Sequence, residues 1–234
     1  MSDFRLLEIK ENYKKIQSRI LKSCSDSGRD TSEVTVIAIT KTYPASDIDL
    51  LKSIGIVNVG ENKDQEASQK FREVKNKFIW HFVGQLQTNK VKSVVQYADF
   101  IHSVDRLSLV KEIQKMSQKI NKKQNILIQV DLDDSETDEN RGGVSASKLS
   151  HLAKEISNCP NLELSGLMSV APLNMAAKEA FTKLKKIQSD FLKDFPTAKM
   201  LSAGMSDDLE EAVSHGATHL RIGSALLGER PKIG

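Results

Sequence analysis

Three short stretches of this sequence carry residues that could do chemistry. Lys41 follows the apolar run VTVIAIT at positions 34–40. An ammonium at the end of a buried strand is costly unless it has a partner or a task. A desolvated lysine amine is a usable nucleophile for Schiff-base formation. The same lysine also fits a surface position just past the strand. Further on, Gly204-Met205-Ser206 runs into the acidic stretch Asp207-Asp208-Leu209-Glu210-Glu211, a helix-start pattern. A helix start offers free N–H groups and a partial positive charge. The third stretch, Arg221-Ile222-Gly223-Ser224, opens a turn whose glycine lets a ligand approach the backbone. Ser206, Gly223 and Ser224 are therefore candidate donors to a phosphate group. Taken alone, they fit a capped helix and a tight turn equally well.

Asn62, in Gly60-Glu61-Asn62, and His81, in Trp80-His81-Phe82, add polar groups at the ends of other apolar runs. His81 and His102 have the right chemistry for acid–base work, but a lone strand histidine is also an ordinary packed core residue. Cys24 and Cys159 have no CxxC partner and no histidine at metal-ligand spacing, so no metal is expected. HExxH, Walker-loop, GxSxG and GxGxxG patterns do not occur.

The elements that must position these residues follow from hydrophobic rhythm. Residues 4–22 set Leu6, Leu7, Ile9, Tyr13, Ile16 and Ile20 at helical spacing, which predicts one amphipathic helix. From Val34 on, short β-branched runs alternate with longer charged segments. Strands are expected at 34–40, 56–60, 78–83, 100–104, 126–132, 162–170, 200–203 and 219–222. Helices are expected near 46–54, 63–76, 88–97, 106–120, 146–157, 174–193 and 207–214. Eight strand–helix repeats imply a parallel sheet covered by helices. Nearly continuous apolar strands such as VTVIAI and ILIQV suit burial on both faces. Eight repeats in so short a span favour a closed (β/α)8 barrel of the TIM type, with an extra N-terminal helix, over an open sheet. The stretch 131–143, DLDDSETDENRGG, reads as a long loop after strand five, either solvated surface or part of the barrel mouth. With no linker or low-complexity block, residues 1–234 are expected to form a single domain.

Composition narrows the function classes. The chain has 234 residues, 39 % apolar and 28 % charged, with a formal net charge of +3. Lysine and glutamate are interspersed, and Asn89, Lys90 and Lys92 read as a solvated helix face, so no nucleic-acid partner is expected. No apolar stretch approaches the ~20 residues that span a bilayer, and the N-terminus lacks the apolar core of a signal peptide. Two unmatched thiols suit a reducing compartment. A cytoplasmic location and a monomer are the expectations.

In barrels of this type the active site lies at the C-terminal ends of the strands, and the loops after strands seven and eight often bind phosphate. A lysine amine across the mouth from a phosphate cradle is the layout for pyridoxal 5'-phosphate held as a covalent aldimine on Lys41. Arg221 then faces the pyridine nitrogen. A guanidinium only donates, so the ring nitrogen stays unprotonated and the cofactor is a weak electron sink. The alternative for Arg221 is an ion pair with the acidic helix.

The motifs AITKTYP with Lys41, VGEN with Asn62, WHFVGQLQTNK with His81, HSVDR, LSGLMSVAP, LSAGMSDDLEEAV and RIGSALLG occur in the order seen in the pyridoxal phosphate homeostasis protein family. From about Leu6 onward the sequence resembles that family, whose fold is like the alanine racemase N-terminal domain. The resemblance implies a stand-alone barrel with Lys41 as the aldimine lysine. It also implies Ser206, Gly223 and Ser224 around the phosphate, Arg221 at the pyridine nitrogen, and Asn62 and His81 near the cofactor. Two positions depart from the pattern: Lys63 stands where an aromatic often follows GEN, and Arg141-Gly142-Gly143 stands where the loop often reads K-S-G.

Three functions fit these residues. The first is a pyridoxal phosphate carrier acting in vitamin B6 homeostasis, with apoenzymes that need the cofactor as possible partners. The second is an amino-acid racemase-like enzyme. The third is a Schiff-base aldolase with another phosphorylated substrate. Racemization needs acid–base groups on both faces of the substrate carbon. In alanine racemase the second is a tyrosine of a separate domain, for which the sequence to Gly234 leaves no room, and Tyr43 is on the wrong element to replace it. The carrier is the expected function.

Overall fold

The structure is a computed structural model that describes residues 2–133 and 142–229. It opens with helix α1 (Ser2–Ser27), which ends at Gly28 in the left-handed region, φ 66°. An alternation of strand and helix follows: β1 (Thr35–Ile39), α2 (Ala45–Lys52), β2 (Asn58–Glu61), α3 (Asp64–Glu73), β3 (Ile79–Phe82), α4 (Val91–Tyr97), β4 (Phe100–Val104) and α5 (Leu107–Lys119). The second half repeats the pattern: β5 (Gln124–Gln129), α6 (Ala146–Ser157), β6 (Leu162–Met168), α7 (Ala177–Asp194), β7 (Met200–Ser202), α8 (Leu209–Ser214), β8 (His219–Ile222) and α9 (Ser224–Leu227).

Every neighbouring strand pair is parallel, and β8 returns to β1 with Thr35 opposite His219 and Ile37 opposite Arg221. The sheet is a closed barrel in sequential order. All eight expected strands are present, each within a few residues of its expected limits. The expectation missed α9, because a four-residue helix has no room for an apolar period.

Side chains alternate between the two faces of each strand. Ala38, Val59, Phe82, Ile101, Ile126, Leu167, Leu201 and Leu220 face outward into the layer packed under the helices. Ile37 and Ile39 face the interior, where a Cβ on Gly60 would meet both of them at 2.9 and 2.6 Å. Lys41, two residues past Ile39, continues that inward row to the C-terminal mouth.

Helix α1 lies against α8 and α9, burying Ile9, Ile16, Ile20 and Cys24. Leu7, expected on the buried stripe, is 57 % exposed. Its spacing fits the row of Phe4 and Leu21, which are also exposed. Arg19 clasps Glu210 of α8 through two hydrogen bonds of 2.6 and 2.8 Å. Among the described residues, no helix is long and apolar enough to cross a membrane.

Candidate functional site

Lys41 sits in the turn after β1, and the backbone around it is clamped. Thr42 has φ 73°, a left-handed conformation that a β-branched residue rarely adopts. Its N–H donates to Glu66 of α3. On the other side of Lys41, the carbonyl of Thr40 accepts from Lys70 Nζ at 2.6 Å, and Thr40 Oγ1 donates to Glu61 Oε1 at 2.6 Å. Lys70 ties the two ends together by also donating to Glu61 (2.8 Å) and Glu66 (2.5 Å). Lys70 and Glu61 are both buried. Burial raises the Glu61 pKa, while the Lys70 ammonium and the Thr40 hydroxyl pull it back. Sequence reading missed this trio. The Glu66–Lys70 spacing of i,i+4 was a usable signal, but many such pairs are only surface ion pairs.

Across the mouth, the chain leaves β7 through Gly204 at φ 89°. A Cβ there would lie 2.5 Å from Ala212 Cβ, so only glycine permits this turn against α8. The Met205 N–H is taken by Asp208, which holds the loop carrying Ser206. Gly223 then begins α9, and its carbonyl accepts from Leu226 and Leu227 at 2.9 Å each. The first N–H groups of a helix have no partner within it, so α9 presents donors beside the Ser224 hydroxyl. The other end of α9 is capped by distant residues. Asn12 donates to the Leu226 carbonyl (3.2 Å), Arg5 to that of Leu227 (2.6 Å) and the Tyr43 hydroxyl to that of Gly228 (2.6 Å). Helix α1 thereby props the element that forms one wall of the site.

Arg221 projects into the barrel and is 6 % exposed. Nη1 donates to the Ser202 carbonyl (2.7 Å) and hydroxyl (2.9 Å), and Nη2 to the Ser169 carbonyl (2.8 Å). The ion pair with the acidic helix is therefore not formed; Asp208 acts only as a nearby charge. Burial lowers the Arg221 pKa to about 10, which leaves it protonated near neutrality.

Lys41, Asn62, Ser206, Arg221, Gly223 and Ser224 line one cleft of 340 Å³, together with Ile39, Val83, Val170, Met205 and Asp207. That volume is at the small end of ligand pockets. Six of the seven residues singled out from sequence thus meet in one place. His81 does not line the cleft. It is buried deeper in the barrel, stacked on Phe100 with ring centroids 4.8 Å apart. Burial lowers its pKa to about 3, so it stays neutral. Its period-2 position on β3 points it inward, but its ring is engaged by Asn58, His102 and Phe100 and does not reach the cleft. Of the loop expected over 131–143, residues 134–141 lie outside the described residues. Gly142 is described, and its carbonyl accepts from Gln129.

A larger cavity of 630 Å³ lies under α1, beside Val34 and Val36. Its one lysine, Lys14, is paired with Glu11, and its other polar residues carry only hydroxyls and an amide. Among the described residues, no group of three or more His, Cys, Asp or Glu is placed to hold a metal ion.

An inward lysine after the first strand, sharing a cleft with serines and a glycine after the last two, defines a (β/α)8 barrel whose candidate site lies at the C-terminal mouth. Residues 5–231 match the family described as alanine racemase, N-terminal domain, and the chain belongs to that family. Its relatives include two proteins named pyridoxal phosphate homeostasis protein. That of Mycobacterium leprae is 35 % identical, covering 91 % of this chain and 89 % of its own. That of Aquifex aeolicus is 36 % identical, covering 94 % and 97 %. PipY of Synechococcus elongatus PCC7942, solved with PLP bound, superposes with a TM-score of 0.82 at 28 % identity, covering 94 % of this chain and 100 % of that one. An alanine racemase from Corynebacterium glutamicum shares the fold, with a TM-score of 0.70 at 12 % identity, over 98 % of this chain and 62 % of that one.

Proposed function

We propose that this protein binds pyridoxal 5'-phosphate through a Schiff base to Lys41 and serves intracellular vitamin B6 homeostasis as a carrier. One observation carries the reading: a primary amine, a donor-only guanidinium and a serine–glycine cradle line the same small cleft. These groups match the three chemical ends of the cofactor. When bound, pyridoxal phosphate supplies an aldehyde that condenses with an amine, releasing water. Lys41 is the amine of the cleft. Ser206 and Ser224, with the opening amides of α9, are the donors for a phosphate. Arg221 would face the ring nitrogen and, being protonated, would only donate to it. Asn62 lies on the wall formed by the β2 end and would add an amide to the cofactor's surroundings.

The carrier reading is supported by where the tyrosines sit. The Tyr43 hydroxyl is spent on the Gly228 carbonyl, Tyr97 is packed with Trp80 and Phe71, and Tyr13 faces the cavity under α1. None lines the cleft as a second base. The reading places the protein in the cytoplasm, with apoenzymes that need the cofactor as the recipients.

The test is the absorption spectrum of the purified protein mixed with pyridoxal phosphate, followed by borohydride and peptide mapping. The expected result is a yellow protein with a pyridoxyl phosphate adduct on the peptide containing Lys41, absent from Lys41→Ala. A protein that gains no absorption band, or an adduct spread over surface lysines, would refute the assignment. Turnover of any amino acid by the loaded protein would move it from carrier to enzyme.

A further inference from the structure

Behind the cleft, a line of hydrogen-bonded side chains starts at Arg221 and crosses the barrel interior. The Ser202 hydroxyl that accepts from Arg221 lies 3.0 Å from His102 Nδ1. His102 Nε2 is 2.9 Å from His81 Nδ1, and His81 Nε2 is 3.0 Å from Asn58 Oδ1. Ser202, His102 and His81 are at most 1 % exposed. They belong to β7, β4 and β3, with Asn58 on β2, so the Ser202–His102 step spans the barrel between strands that are not neighbours and the rest runs along adjacent strands.

Its direction is set by its two ends: the guanidinium only donates, so Ser202 Oγ accepts from it, and Asn58 Oδ1 only accepts, so His81 donates from Nε2. The serine's own hydrogen is then turned toward His102 Nδ1. A neutral His102 accepting at Nδ1 carries its hydrogen on Nε2 and donates to His81 Nδ1. His81 in turn donates from Nε2 to the Asn58 carbonyl. Both rings stay neutral because burial depresses His81 to about 3 and His102 well below its ordinary value. Every donor in the line points away from Arg221, and every lone pair points toward it. Among the described residues, Arg221 hydrogen-bonds two carbonyls and this hydroxyl but no carboxylate, and Asp208 acts on it only at a distance. A buried charge with no directly bonded counter-ion needs aligned dipoles, and hydrogen bonds in a chain strengthen one another.

Building on the cofactor reading above, we propose that Ser202, His102 and His81 are positioning residues that act together to fix the Arg221 guanidinium against the cofactor's ring. The line does not conduct protons from the cleft, since Arg221 at its head stays protonated. It sets the orientation of one donor from the opposite side of the barrel.

Two experiments test this. In protein free of cofactor, 15N NMR of the imidazoles reads the tautomers directly. Both His81 and His102 are expected as Nε2–H; an Nδ1–H form at either reverses the line and overturns the proposal. The second experiment measures pyridoxal phosphate affinity and the visible band for Ser202→Ala, His102→Leu, His102→Gln and the double variant S202A/H102L, with circular dichroism to monitor the fold. S202A and H102L are each expected to weaken binding about tenfold and shift the band. The double variant should be no weaker than the weaker single, and His102→Gln, which can accept and donate, should recover most of the loss. Losses that simply add, or a glutamine as poor as leucine, mean that these residues only fill space, and the proposal fails. Should H102L not fold, S202A and the tautomers still decide. Wild-type protein that takes up no pyridoxal phosphate sinks the cofactor reading, whereas normal uptake with additive losses or a reversed tautomer sinks this proposal alone.

Discussion

Thr42 shows how much the molecule invests in one lysine. A β-branched residue in the left-handed region costs about 1–3 kcal/mol, and it persists only where its surroundings over-determine it. Here Glu66 takes its N–H and Lys70 takes the carbonyl two residues before it, so the peptide groups on both sides of Lys41 are pinned. Lys70 is also the counter-ion of Glu61, whose second oxygen, Oε2, is buried and without a hydrogen-bond partner. Removing one member of a buried pair leaves the other charge uncompensated, at a cost of about 3–5 kcal/mol. Lys70→Met should therefore lose stability of that order in urea unfolding. Lys70→Met combined with Glu61→Gln should lose clearly less, because the one remaining carboxylate, Glu66, is partly exposed and keeps the Thr42 N–H. Equal losses in the two variants would mean that the lysine stem, not its charge, matters there.

At the scale of elements, the cradle depends on a helix from the far end of the sequence. Asn12 and Arg5 of α1 cap the carbonyls of α9, and Arg5 also pairs with Asp47 at 2.6 Å. Arg5→Ala should cost about 1–3 kcal/mol in unfolding and weaken pyridoxal phosphate retention several-fold. Equilibrium dialysis at fixed pH measures the second effect, and unchanged retention would show that α9 holds its place without α1. This dependence was not legible in the sequence. Period and composition exposed the eight strands, because strands buried on both faces read as apolar runs such as ILIQV. They exposed Lys41, Ser206 and Arg221 too, because polar residues at the ends of such runs are conspicuous. Arg5 and Asn12 belong to a charged helix face that looks like any solvated one. Ser202 and His102 lie inside strands, where only the closed barrel reveals that they meet. His81 stands out by its chemistry and its period, but neither reports which side chains its ring meets inside the barrel.

The whole molecule carries a pH signature in its interior. His81 and His219 have pKa values lowered to about 3 and about 4 by burial, and His102 lies well below the ordinary value for the same reason. A proton on His219 would disfavour one on His81, and protons on either, together with the fixed charge of Arg221, disfavour one on His102. The unfolded chain binds protons at these groups near pH 6.5 while the folded protein does not. Stability is therefore complete above that pH and drains away as pH falls toward 4. Three such protons give a slope of up to about 4 kcal/mol per pH unit. The raised pKa of Glu61 works in the opposite direction and offsets part of it. Urea midpoints at pH 7, 6 and 5 should fall steeply, and less so in His102→Gln; a flat series would contradict neutral buried histidines. Closure of the sheet between β8 and β1 has one more effect. Lys41 and Asn62 arrive with the first two strands and Ser206, Arg221 and Ser224 with the last two, so no partial product of synthesis holds a complete cleft. On the proposed function, a cofactor would load only after the last strand emerges from the ribosome and docks against the first, which ties loading to closure of the barrel.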